Sequence, residues 1–125
     1  RLGSEQLRNK MRTLNDYFLH AEIADVSTAS STFVPVPDSG KIIKIITALQ
    51  GAISGGDAAI TFEIGGTAVT GGAITVANSG SAAGDVDTAE PTADNDVQEG
   101  GTIEMLTDGG STGANKLNVT FVIRR

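Results

Sequence analysis

From Tyr17 onward, apolar residues recur at every second position in short runs, with turns rich in Gly and Asp between them. A period of two sends alternate side chains to opposite faces of an extended strand. Many such runs, each closed by a turn, restrict a chain to an all-β sandwich or barrel. The strongest run is 41–49, KIIKIITAL, whose β-branched residues disfavour helix. Strict alternation there places Ile43, Ile45 and Thr47 on one face, with Ile42, Lys44 and Ile46 on the other. In 116–123, Leu117, Val119, Phe121 and Ile123 share an apolar face, with Asn118 and Thr120 opposite. The run 59–64 precedes Gly65-Gly66, which suits a two-residue type I′ turn, because both positions need positive φ. A return strand at 67–70, a second turn at Gly71-Gly72 and a strand at 73–76 outline a β-meander. Further runs lie at 18–26, at 32–37 with Pro35 and Pro37, and at 102–107. The total is seven or eight short strands in a compact, jelly-roll-like sandwich or barrel.

Two segments depart from this pattern. Residues 1–16 carry four basic and two acidic side chains, a local +2, whereas 17–125 carry five basic and thirteen acidic ones, a local −8. Leu2, Leu7, Met11 and Leu14 form a rough helical stripe, too short to stand alone. The reading is a basic N-terminal arm, 1–16, that orders against something else, joined to a β-sandwich domain, 17–125. The other departure is 77–101, where Asp85, Asp87, Glu90, Asp94, Asp96 and Glu99 occur without a base. It reads as a long loop with a short strand near Val86, and so long a connection implies a function.

The inventory for chemistry is thin. The chain has no Cys and no Trp, one His (His20) and one Tyr (Tyr17). No phosphate-loop, dinucleotide, zinc or EF-hand pattern is present. His20 and Glu22 share a strand face but lack a nucleophile, so the expectation is no enzyme and no catalytic, cofactor or metal residues. Calcium is the one metal weighed, with Asp85 and Asp87, or Asp94, Asn95 and Asp96, as carboxylate and amide ligands. A net charge of −6 argues against direct nucleic-acid binding. No run of 18 apolar residues offers a membrane helix, and the opening residues have no apolar block long enough for a signal peptide. Asn118-Val119-Thr120 matches the glycosylation pattern but sits within a strand. Arg124 and Arg125 form a cationic end suited to an acidic partner.

The stretch from Pro35 to the end resembles the head decoration, or cement, proteins of tailed bacteriophages. Pro37-Asp38-Ser39-Gly40-Lys41-Ile42, Gly65-Gly66-Thr67-Ala68-Val69, Gly71-Gly72-Ala73-Ile74-Thr75-Val76, Ala89-Glu90-Pro91-Thr92-Ala93-Asp94-Asn95 and Val122-Ile123-Arg124-Arg125 carry the resemblance. It implies a structural virion protein that forms a homotrimer on the outer face of the capsid. There it would bind the major capsid protein and stabilise contacts between its subunits. Carried onto this chain, Leu7, Arg8, Met11, Arg12, Leu14, Arg124 and Arg125 become the expected capsid or subunit contacts. The helical look of the arm departs from an extended anchoring arm. Alternatives are a head-fibre base or tail-associated structural protein, and a carbohydrate-binding module. The latter would expose aromatics on one sheet, whereas Tyr17, Phe18, Phe33, Phe62 and Phe121 mostly have core spacing.

Overall fold

A computed structural model describes residues 15–125. The helical stripe expected at Leu2, Leu7, Met11 and Leu14 lies outside them. Ten strands follow in order: β1 (Asp16–Ile23), β2 (Ser30–Pro35), β3 (Gly40–Leu49), β4 (Ala58–Ile64), β5 (Thr67–Ala68), β6 (Ile74–Val76), β7 (Val86–Ala89), β8 (Asp96–Val97), β9 (Thr102–Thr107) and β10 (Leu117–Arg124). They form two five-stranded sheets of antiparallel pairs, packed as a sandwich and not closed into a barrel. Sheet A runs β1-β10-β3, with β7 and β8 on the free edge of β3. Sheet B runs β2-β9-β4, with β5 and β6 on the free edge of β4.

Each sheet therefore ends in one interrupted edge strand. This explains why ten short strands occur where the sequence pattern suggests seven or eight. It also corrects the meander. β5 and β6 do not pair with each other; both lie against β4, at Glu63–Ile64 and at Ala58–Ile60. Gly65-Gly66 forms the expected turn, with φ of 59° and 82° between Ile64 and its partner Thr67. Gly71-Gly72 does not form a hairpin. The chain there loops out of the edge and meets the matching excursion between β7 and β8. Thr70 and Ala93 form an isolated bridge, with the Thr70 amide 3.0 Å from the Ala93 carbonyl. Gly71 is left-handed, and a Cβ on it would lie 3.2 Å from the Glu90 carbonyl. The two broken edges thus tie one side of the sandwich shut, and 77–101 holds the expected strand at Val86 and a second, unexpected one at Asp96–Val97.

A bulge in β3 overturns the simple alternation of that strand. Ile123 pairs with Ile42 and Val122 with Lys44, so Ile43 is an extra residue. The faces switch at that point. Ile42, Ile45, Thr47 and Leu49 turn inward, while Ile43 is half-exposed with Lys44 and Ile46. In β10 the alternation holds throughout, and Leu117, Val119, Phe121 and Ile123 are all buried. Between the sheets, Phe62 of β4 meets Phe121 of β10 edge to face, with ring centroids 5.5 Å apart at 89°. Such a contact adds about 1 kcal/mol to the burial of two aromatic rings.

Candidate interaction surface

The start and end of the folded chain are fastened together at one end of sheet A. Asp16 opens β1 and Arg124 closes β10; their guanidinium–carboxylate pair is bidentate, at 2.7 and 2.9 Å. Two parallel charge-assisted bonds fix orientation as well as distance, and Asp16 holds the Arg124 guanidinium above its ordinary pKa. Arg125 donates to Asp38 at 2.7 Å and lies over the Tyr17 ring, 5.0 Å from its centroid. Its amide donates to the Asn15 carbonyl at 3.0 Å. The Tyr17 hydroxyl donates to the Asp38 carbonyl. Partial burial pushes the Tyr17 phenol up, and the neighbouring Asp38 charge adds to the rise. Beside this clasp runs a groove of about 480 Å³, lined by Gly40, Lys41, Ile43, Gln98, Arg124 and Arg125 among others.

Arg124 and Arg125 therefore find acidic partners within their own chain, at the root of the N-terminal segment. Leu7, Arg8, Met11, Arg12 and Leu14 lie outside the described residues. Asp16, assigned to the arm by the sequence reading, is the first residue of β1.

The outward face of sheet A mixes apolar and polar side chains in rows that cross the strands. Phe18 pairs with Val122, and Val122 with Lys44. The next row is His20, Thr120, Ile46 and Thr88, followed by Glu22, Asn118, Ala48 and Val86. Phe18 is 62% exposed and Val86 61%. Charge follows the same division. The five basic residues of the described chain, Lys41, Lys44, Lys116, Arg124 and Arg125, all lie on or beside β3 and β10 of sheet A. Sheet A adds four acids: Asp16, Glu22, Asp87 and Asp96. The rest of the described chain carries ten acids and no base.

The remaining sequence candidates are placed as follows. His20 and Glu22 do share the outward face; His20 bonds the Thr120 hydroxyl at 2.8 Å, and Glu22 pairs with Lys116 at 3.6 Å. Three of the six acids of 77–101 have separate structural tasks. Asp85 caps its own turn by accepting the Ala82 amide, Asp94 accepts from the Thr70 hydroxyl, and Asp96 pairs with Lys41. Asn95 is buried and bonds the β3 backbone. No cluster of three or more His, Cys, Asp or Glu suited to a metal occurs among the described residues. Asn118 is exposed, as the second residue of β10.

With this geometry in view, comparison with solved structures yields a likeness of fold. One chain in the acidic stable capsid structure of the Helicobacter pylori bacteriophage KHP30 superposes with a TM-score of 0.58. It is 10% identical, and the match covers 88% of this chain and 87% of that one. A chain from Bacillus endospore appendages, described as disulfide-linked pili, gives a TM-score of 0.41 at 17% identity, covering 87% of this chain and 86% of that one. No family model and no curated protein matches. The first likeness shows an all-β fold shared with a chain of a phage capsid structure.

Sequence reasoning missed the exposed aromatics. Phe18 and Phe33 are both more than half exposed, and only Phe62 and Phe121 are core. Phe18 lies on sheet A and Phe33 on sheet B, so they do not form the single platform a sugar-binding face needs. The signal was available: Phe18 is in step with His20 and Glu22, on the polar side of its strand.

Proposed function

We propose that this chain is a capsid decoration protein that binds the outer surface of a phage shell and stabilises contacts between major capsid protein subunits. The observation that carries the reading is the two-sided surface. Sheet A offers a nearly charge-balanced outward face with exposed Phe18 and Val86, while the rest of the described chain is uniformly acidic. A mixed face of this kind, with exposed apolar side chains among paired or neutral polar ones, suits a protein interface. The acidic remainder suits solvent, and it disfavours contact with packaged nucleic acid. The wiring supports the reading. With each broken edge counted once, eight strands divide four and four between two sheets in jelly-roll order, an architecture common in viral capsid domains. The KHP30 capsid chain shares the fold.

In this reading the chain is a homotrimer, because a three-fold site on a shell demands matching symmetry. Residues 1–16 supply further contacts through Leu7, Arg8, Met11, Arg12 and Leu14, with the clasp of Arg124 and Arg125 fixing where that arm leaves the body. The test is sedimentation with capsid shells that lack the protein. Wild type is expected to pellet with the shells, and Phe18→Ser with Val122→Ser to remain in the supernatant while staying folded. Equal pelleting of both would remove sheet A from the interface.

A further inference from the structure

On the outward face of sheet B, Glu63 of β4 and Glu104 of β9 are direct cross-strand partners. Side chains in such positions stand about 5 Å apart at Cβ, and like charges there are destabilising. Phe33 of β2, 61% exposed, pairs with Glu104 from the other side, and Ala68 of β5 flanks Glu63. Half-exposed Leu106 lies in the adjoining row, between Ser31 and Thr61. The result is an acidic pair set beside an apolar step.

No base of the described residues neutralises this pair. Lys41, Lys116, Arg124 and Arg125 are each bonded to another carboxylate, and Lys44 is on sheet A. The chain has nine basic residues, and the other four are Arg1, Arg8, Lys10 and Arg12, all before Asn15. In the sequence Arg8 and Arg12 are four residues apart, each directly preceded by an apolar residue, Leu7 and Met11. Two cations and two apolar side chains match the two carboxylates and the apolar pair Phe33 and Leu106 in number and kind.

We propose that the outward face of sheet B receives the N-terminal segment 1–14 of a neighbouring copy, with Arg8 and Arg12 on Glu63 and Glu104. Reach favours a neighbour over the same chain. Asn15 is held on sheet A by Arg125, and Arg12 is three residues away, about 10 Å of extended chain. A path around two sheets about 10 Å apart, and on to the second and third strands, exceeds that. The inference rests on the self-assembly part of the proposed function, not on shell binding through sheet A.

The test is light scattering on the full chain across a dilution series, with three variants. Wild type is expected as an oligomer. Glu63→Arg with Glu104→Arg, and separately Arg8→Glu with Arg12→Glu, each shift dissociation to at least about ten-fold higher concentration. Combining all four changes restores assembly, because the charges again oppose. The arm variant leaves the sheet unaltered, so its result does not depend on how the sheet tolerates arginine. A monomeric wild type, an oligomer indifferent to both reversals, or a four-fold variant no better than either pair would overturn the proposal. Sedimentation with shells through Phe18 and Val122 can succeed in each of those cases, so the two readings fail separately.

Discussion

Asn95 and Ile42 serve each other's backbone across a gap in the sheet. The Ile42 amide donates to the Asn95 carbonyl at 2.9 Å, and the Asn95 side-chain amide donates to the Ile42 carbonyl at 2.6 Å. The gap is the break between β7 and β8, beside the Ile43 bulge, and Asn95 is only 3% exposed. Asn95→Ala leaves the Ile42 carbonyl without this donor, at a cost of about 1–3 kcal/mol by urea unfolding. Asn95→Asp is expected to be worse, since an ionised carboxylate cannot donate and is itself poorly placed when buried.

The bulge makes a prediction opposite to simple alternation. Ile42 is fully buried and Ile43 half-exposed. Ile42→Ala is expected to cost about 2–5 kcal/mol, as for other large-to-small core changes. Ile43→Ala is expected to cost under about 1 kcal/mol. Chemical denaturation of the two variants ranks them; the reverse order would contradict the register of β3 with β10.

Two glycines are needed for different reasons. Gly65 has φ of 59° with nothing within 4 Å of a built Cβ, so its requirement is conformational. Gly65→Asn should be nearly neutral, because Asn tolerates the left-handed region, whereas Gly65→Val should cost about 1–2 kcal/mol. Gly40 is limited by space: a Cβ there would lie 2.6 Å from Ile123 and 2.9 Å from the Arg124 carbonyl. Gly40→Ala is expected to lower stability by about 1–3 kcal/mol through overpacking. Thermal melts of the three variants check both arguments.

Acid sensitivity should trace to two turn carboxylates. Amides of Gly110 and Ala59 hold Asp108 below its ordinary value of 3.8, and hydrogen bonds from Ser27 and Thr28 do the same for Asp25. A carboxylate with a depressed folded pKa contributes stability above its unfolded value and loses it as pH falls through the folded one. Melting temperature is therefore expected to drop as pH falls below about 4. Asp108→Ala should be less stable than wild type at neutral pH and converge on it in acid. A constant difference at every pH would assign the effect to packing.

Much of the fold was legible because burial writes a period of two. β10 alternates without fault, and β9 matches the expected run from Thr102 to Thr107. The Gly65-Gly66 turn followed from the φ that its geometry demands. What escaped depends on partners distant in sequence. The shift at Ile43 arises from pairing with Val122 and Ile123, and nothing within KIIKIITAL marks it. The broken edges of β5–β6 and β7–β8 depend on Thr70 meeting Ala93. Arg124 and Arg125 were legible as a cationic end, but not as the residues that clasp Asp16 and Asp38, because those pairings cross 108 and 87 positions.

The central claim is that this chain works as a shell-binding structural protein, with sheet A toward its partner. Electron cryo-microscopy of shells saturated with the purified protein tests it most directly. The account predicts density for the sandwich at three-fold positions on the outer surface, with the rows of Phe18, Val122 and Ile46 against the shell and sheet B turned away from it. Shells without such density, or a sandwich attached by its acidic side with sheet A exposed, would contradict it.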